Sequence, residues 1–108
     1  MEIGHYTVRF NGGPKAGRDN LARAQMHLFS KESKLLGYVN FYEDDMDLPE
    51  DEQKEQYIMM HLHLHLLHAV IDALRNEQPA YIVWRKQDNY AYISTTQEPV
   101  GEGDERIS

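Results

Sequence analysis

The chain has 108 residues, of which 41% are hydrophobic and 27% charged, a composition that is ordinary for a globular domain. It contains no cysteine, which excludes disulfides, thiolate metal sites and cysteine nucleophiles, and no apolar run is long enough to cross a bilayer. Its first residues lack the basic and apolar regions of a secretory signal, so we expect a cytoplasmic protein with no membrane partner.

The formal net charge of −7 is concentrated in two segments. Residues 43–55 hold eight acids and one lysine, and residues 98–108 hold four acids and one arginine. The first segment does not match the ligand spacing of a calcium-binding loop, so we interpret it as a solvated loop. We predict a single domain over residues 1–108, with a loose acidic tail at 98–108.

The first element in chain order is a strand. Residues 3–10 alternate, with Tyr6, Val8 and Phe10 on one side and polar side chains on the other. The glycine-rich stretch 11–20 then predicts a long loop. We do not interpret it as a phosphate cradle, because Pro14 removes a backbone donor and a strand pattern follows.

Two further strands are predicted over residues 21–30 and 35–43. In both, small or apolar side chains alternate with polar or aromatic ones, so the pair predicts a hairpin with one apolar face and one mixed face. After this hairpin, Asp47 and Glu50 have the spacing of a capping box around Pro49, which predicts a short helical turn.

The stretch MMHLHLHLLHAV, residues 59–70, contains four of the six histidines and fits two structures. One is a strand over 56–63 followed by a helix over 65–76, and the other is a single helix from 49 to 77. We favour the strand and helix, because the single helix would be long for this domain and the preceding strands need a partner. Asn76 and Pro79 provide the signal that ends the helix.

A final hairpin is predicted from the strands 81–86 and 90–95, joined by a two-residue turn at Asp88 and Asn89, with Trp84 facing Ile93. The predicted fold class is therefore α+β. We expect an antiparallel sheet of about six strands with one main helix on one face, in the order β-β-β-β-α-β-β.

The histidines give the first candidate site. On a strand, His61 and His63 share one face, and His27 on a neighbouring strand would complete a set of imidazoles that suits Zn²⁺ or Ni²⁺. If the segment were helical, one stripe would instead hold His61, His65, His68 and Asp72. The alternative is that histidine only occupies the less buried face, since no H-E-x-x-H motif is present.

The second candidate site is a surface for single-stranded nucleic acid or another anion, formed by cations and aromatic rings on the mixed face. Its predicted members are Arg9, Arg23, Tyr38, Tyr42, Arg85 and Tyr92. Ordinary cross-strand packing explains the same residues, and the acidic segments would repel a nucleic acid, so we do not expect a nucleic-acid partner to be the main one.

The sequence contains no nucleophile-elbow motif and we do not expect an enzyme. One helix is about 10 Å wide and cannot cover six strands spaced about 4.8 Å apart, so apolar sheet surface should be left over. Self-association, most often as a homodimer, would bury that surface. The leading hypothesis is therefore a non-catalytic, homo-oligomeric binding or interaction protein. Metal binding by the histidines and anion binding on the mixed face are the alternatives.

Overall fold

The computed structural model describes residues 1–13 and 22–95. The predicted α+β class is confirmed. The strands are β1 (His5–Phe10), β2 (Ala24–Phe29), β3 (Leu35–Tyr42), β4 (Glu52–Gln53), β5 (Ile58–His63), β6 (Tyr81–Arg85) and β7 (Tyr90–Ser94). A 3₁₀ turn, Leu64–Leu66, leads into the helix α1, Leu67–Asn76. No helix of the described ranges has the length and apolar character needed to span a bilayer.

The strands form two sheets, so the prediction of one antiparallel sheet of about six strands was wrong. The larger sheet has the order β1-β2-β3-β5-β4, and it is mixed because β5 runs parallel to β3 while its other pairs are antiparallel. β6 and β7 form a separate hairpin. Parallel pairing needs a connection of about a dozen residues or more, and the segment 43–57 is long enough to provide it.

The hairpin of β2 and β3 is confirmed, and each of its faces carries the predicted side chains. Ala24 pairs with Phe41 on the apolar side, and Gln25 pairs with Asn40 on the other. We call the apolar side of the five-stranded sheet the core face: Tyr6, Val8, Phe10, Ala24, Met26, Leu28, Gly37, Val39, Phe41, Ile58, Met60 and Leu62. We call the opposite side the mixed face: His5, Thr7, Arg9, Gln25, His27, Phe29, Tyr38, Asn40, Tyr42, Met59, His61 and His63.

The helix and the small hairpin both pack on the core face. Leu67 and Leu74 of α1 and Ile82 of β6 belong to the same buried cluster as the core-face side chains. The packing is close at Gly37, where a Cβ would lie 2.5 Å from the carbonyl oxygen of Ile58 and 3.3 Å from Cδ1 of Ile82. Glycine is therefore required at this position for β5 and β6 to approach β3.

The interpretation of the histidine stretch as a strand followed by a helix is confirmed. The strand β5 begins at Ile58, and the chain turns helical directly after His63. Leu67 and Leu74 of α1 are buried, and the helix ends at Asn76, as the sequence predicts. A single helix from 49 to 77 is not what the chain forms, because β3 provides β5 with a parallel partner along its whole length.

Two predicted turns were wrong. Residues 47–50 form no helical turn and lead in non-helical backbone to β4. In the final hairpin, Trp84 pairs with Ala91 rather than with Ile93, so the connection is the loop 86–89 instead of two residues. A shift by two residues keeps every side chain on its predicted face.

The predicted loop at 11–20 is described only as far as Gly13, and the predicted tail at 98–108 lies outside the described residues.

Candidate functional site

The three predicted metal ligands lie on two strands that are not neighbours. His27 is on β2, while His61 and His63 are on β5, and β3 runs between them. Two strand spacings amount to about 10 Å, whereas zinc-bound nitrogens lie about 2.0–2.1 Å from the ion. Across residues 1–13 and 22–95, no three His, Asp or Glu side chains come together in a group that could hold a metal ion.

Two of these histidines make hydrogen bonds to other groups. Nε2 of His27 lies 2.9 Å from Oε1 of Gln25, and Nε2 of His63 lies 2.9 Å from the carbonyl oxygen of Met46. A carbonyl oxygen can only accept, so Nε2 of His63 carries the proton in that contact. These bonds hold both rings in place and give them a structural role on the mixed face.

Gln25 connects three strands on the mixed face. Its Oε1 also accepts a long bond of 3.4 Å from Arg9, and its Nε2 donates to Oδ1 of the buried Asn40 at 2.9 Å. Beside this network, Tyr38 makes edge-on contacts with His27 at 4.8 Å and with Tyr57 at 5.2 Å between ring centroids. The polar and aromatic side chains of this face thus contact one another across the strands.

The six predicted anion-binding residues are divided between the two sheets. Arg9, Tyr38 and Tyr42 lie on the mixed face, together with Arg23, whose Nε is 2.9 Å from a carboxylate oxygen of Glu43. The other two lie on the separate hairpin of β6 and β7, namely Arg85 and Tyr92. The structure therefore does not bring these six residues together on one surface.

Asp51 holds two backbone N–H groups through its carboxylate, and its sequence context does not distinguish it from the acids around it. Its Oδ1 accepts a hydrogen bond of 2.8 Å from the backbone N–H of His61, and its Oδ2 accepts one of 2.9 Å from the backbone N–H of Ala91. The side chain is only 13% exposed. One carboxylate thus joins the connection 43–57 to β5 and to β7.

The His61 ring lies beside the same carboxylate. Its side chain is 5% exposed, and its Nδ1 is 3.4 Å from Oδ1 of Asp51, which is ion-pair distance but outside hydrogen-bond geometry. Burial raises the pKa of Asp51, but the interaction with the His61 ring and the two backbone N–H groups outweigh it, so the pKa lies below its ordinary value.

A histidine oriented by an aspartate is also the arrangement of a general base. Here, however, both oxygens of Asp51 are used to hold backbone N–H groups of two strands. The cleft of about 600 Å³ between the first residues of the chain and the end of α1 includes neither Asp51 nor His61. We therefore interpret the pair as a structural clamp between the two sheets.

The edge strand β1 carries the most exposed large apolar side chain of the described residues, Phe10. Tyr6 and Val8 on its core face are half-buried against the core, and Phe10, the third residue of that row, is 64% exposed. The helix and the small hairpin therefore cover the core face less completely at β1 than at β2 and β3. The alternation in residues 3–10 predicts this row correctly, but it does not predict that the row lies at a sheet edge.

The backbone of β1 also presents hydrogen-bonding groups at this edge. The Asn11 N–H donates to the carbonyl of Arg23 at 2.8 Å, in register with the β1–β2 ladder. Because N–H and C=O groups point to alternate sides along a strand, the groups of residues 5, 7 and 9 point toward β2. Those of Tyr6, Val8 and Phe10 point away from it.

The other sheet edges in the described chain are protected. β4 has two residues and ends beside the ion pair of Glu52 with Lys54. The outer side of β6 bonds to the backbone of Met1, and the N–H of Ala91 in β7 bonds to Asp51. Short length, charge and covering segments are the usual means of preventing strand addition. By contrast, β1 has six residues and a single charged side chain, Arg9, and no segment of the described chain bonds to its outer side.

No protein-family model, curated protein or solved structure matches this chain. The candidate site is therefore defined by its geometry alone. It consists of the free backbone edge of β1 and the apolar row Tyr6, Val8 and Phe10, which we call the β1 edge.

Proposed function

We propose that this protein is a non-catalytic, homo-oligomeric interaction module that associates through the β1 edge. The observation that carries the proposal is Phe10, which extends the core-face row of an edge strand and is 64% exposed. An exposed aromatic ring lies here beside backbone groups that have no partner among residues 1–13 and 22–95, and strand addition would bury the ring and pair those groups in one step.

The proposal differs from an interaction across a whole sheet face. The core face at β2, β3 and β5 is largely covered by α1 and the small hairpin, and among the described residues its most exposed part lies at β1. On the mixed face, the polar side chains of Gln25, His27 and Asn40 already bond to one another. Metal binding is not part of this proposal, because His27 and His63 make other contacts and lie on separated strands.

The proposal is tested by sedimentation velocity of the full chain over a wide concentration range. We expect a reversible dimer, and Phe10→Ser should weaken it. Burial of the ring contributes about 1–2 kcal/mol per copy, so the dimer should lose about 2–4 kcal/mol. That loss corresponds to a dissociation constant raised by about 30-fold or more. A chain that stays monomeric at all concentrations would overturn the proposal.

Tyr90→Ser is the matched control, because Tyr90 is a partly exposed aromatic residue on β7, away from β1. Its dissociation constant should equal that of the unmodified chain. Val8→Pro tests the backbone separately. It removes an N–H that points away from β2, and proline is tolerated at such a position of an edge strand. The variant should keep its circular dichroism spectrum and lose the dimer.

A further inference from the structure

We infer that the occupant of the β1 edge is β1 of a second copy, paired antiparallel about a two-fold axis that passes beside Val8. This inference rests on the proposed function and adds the partner strand and its register. A two-fold axis perpendicular to the sheet keeps the core faces of both copies on the same side. Even-numbered residues of one strand then lie opposite even-numbered residues of the other, and odd-numbered opposite odd-numbered. The residue that lies at the axis therefore fixes the register.

The register centred on Val8 uses every backbone group of β1 that has no partner in the described part of the chain. Val8 lies opposite Val8 of the second copy, and Tyr6 lies opposite Phe10 at both ends. All three residues have backbone N–H and C=O groups that point away from β2. They therefore form the hydrogen-bonded type of antiparallel pair without a change within either copy.

The side chains agree with the same register. On the core face, the half-buried Tyr6 meets the exposed Phe10 of the second copy, which is a favourable aromatic cross-strand pair. On the mixed face, Arg9 meets Thr7, so no charged residue lies opposite a like charge. The row that α1 and the small hairpin leave uncovered is thus continued by the same row of the second copy.

The register centred on Thr7 is less suitable both in its side-chain pairs and in its backbone hydrogen bonds. It places His5 opposite Arg9, two groups that repel each other when the histidine is protonated. It also places Phe10 opposite Gly4, which has no side chain to cover the ring. The N–H of Gly4 already donates to the carbonyl of Phe29 at 2.6 Å and is not free for a second strand.

The absence of cysteine from the chain allows the register to be measured by disulfide formation between single-cysteine variants. Directly opposed residues of a hydrogen-bonded pair have Cα atoms about 5.5 Å apart, within disulfide range. Val8→Cys should therefore form a covalent dimer under mild oxidation. Thr7→Cys should not, because Thr7 and its copy are offset along the strands. Gln87→Cys, in the exposed loop 86–89, measures the background from random collision.

At micromolar protein, Val8→Cys should cross-link at least about tenfold faster than Gln87→Cys, because pairing raises the local thiol concentration to the millimolar range. Cross-linking of Thr7→Cys instead would overturn the register and leave the β1 dimer standing. A dimer in sedimentation in which neither variant exceeds the background would overturn the register centred on Val8. If Phe10→Ser also leaves that dimer unchanged, the β1 edge is overturned as well. The circular dichroism spectrum of each variant verifies that it is folded.

Discussion

Replacing Asp51 with asparagine should test whether one carboxylate holds the two sheets together. Asparagine keeps the size of the side chain but offers one oxygen where aspartate offers two. One of the backbone N–H groups, of His61 or Ala91, then keeps its acceptor, and the other faces an NH₂ group.

The cost follows from these two contacts. A hydrogen bond to a charged acceptor contributes about 1.5–3 kcal/mol, and a buried donor left without a partner costs about 1–3 kcal/mol. Since these terms partly overlap, we expect Asp51→Asn to lower the free energy of unfolding by about 2–5 kcal/mol. A domain of ordinary stability has about 5–15 kcal/mol in total, so the loss should be evident.

Urea unfolding followed by circular dichroism measures this difference, at one fixed protein concentration because self-association would shift the midpoint. Glu50→Gln is the matched control. It removes the same charge from the neighbouring exposed residue and should change stability by less than about 0.5 kcal/mol. An equally small change for Asp51→Asn would refute the clamp.

The pH dependence gives a second measurement on the same pair of proteins. The pKa of Asp51 is lowered in the folded chain, so the carboxylate stabilises the fold at pH values above its unfolded pKa of about 3.9. This contribution is lost as the pH falls through the lower, folded pKa. The difference in stability between the unmodified chain and Asp51→Asn should therefore be largest near neutral pH and shrink below about pH 4.

Two further predictions concern the core face. Gly37→Ala should destabilise the fold by about 1–3 kcal/mol or more, because the added methyl group collides with the backbone of Ile58. A Cβ at Gly12 meets no atom within 4 Å, so Gly12→Ala is the control and should cost little. Thermal unfolding of both variants measures the difference. Leu28→Ala should lower the free energy of unfolding in urea by about 2–5 kcal/mol because Leu28 is fully buried. Leu48 is 38% exposed, so Leu48→Ala should cost less than about 1 kcal/mol, and equal effects of the two variants would contradict the assigned core.

The hairpin of β2 and β3 could be predicted from the sequence because one of its faces packs on the apolar core and the other carries polar and aromatic side chains. Met26 and Val39 must then alternate with polar residues, and a slip by one residue would expose both. The parallel pairing of β5 with β3 has no comparable pattern in the sequence that would predict it. A buried strand has the same apolar pattern whichever neighbour it joins and in whichever direction it runs.

Asp51 illustrates why the clamp could not be predicted. It lies in a run of eight acids, and that composition is typical of a solvated loop. Its role depends on two N–H groups, of His61 and Ala91, which are ten and forty positions away in the chain. Every non-proline residue has the same backbone N–H donor, so the residue types do not indicate which N–H groups a carboxylate will bind. The same reason hides β4, which is two polar residues recognisable only by their pairing with β5.

The sequence predicts that the helix leaves apolar sheet surface uncovered, and in the structure such surface lies at the edge strand β1 rather than across a whole face. The predicted six-strand sheet would have left a broad apolar face bare, but β6 and β7 leave the sheet and pack on it as a second covering layer beside α1. Among the described residues, the part of the core face left most exposed is therefore at the outermost strand, β1, and chiefly at Phe10. A contact along one strand buries less area than a contact between two faces, and stable interfaces bury about 800 Å² per copy. Association through the β1 edge should therefore be reversible and dependent on concentration, which distinguishes it from an obligate dimer that has no folded monomer.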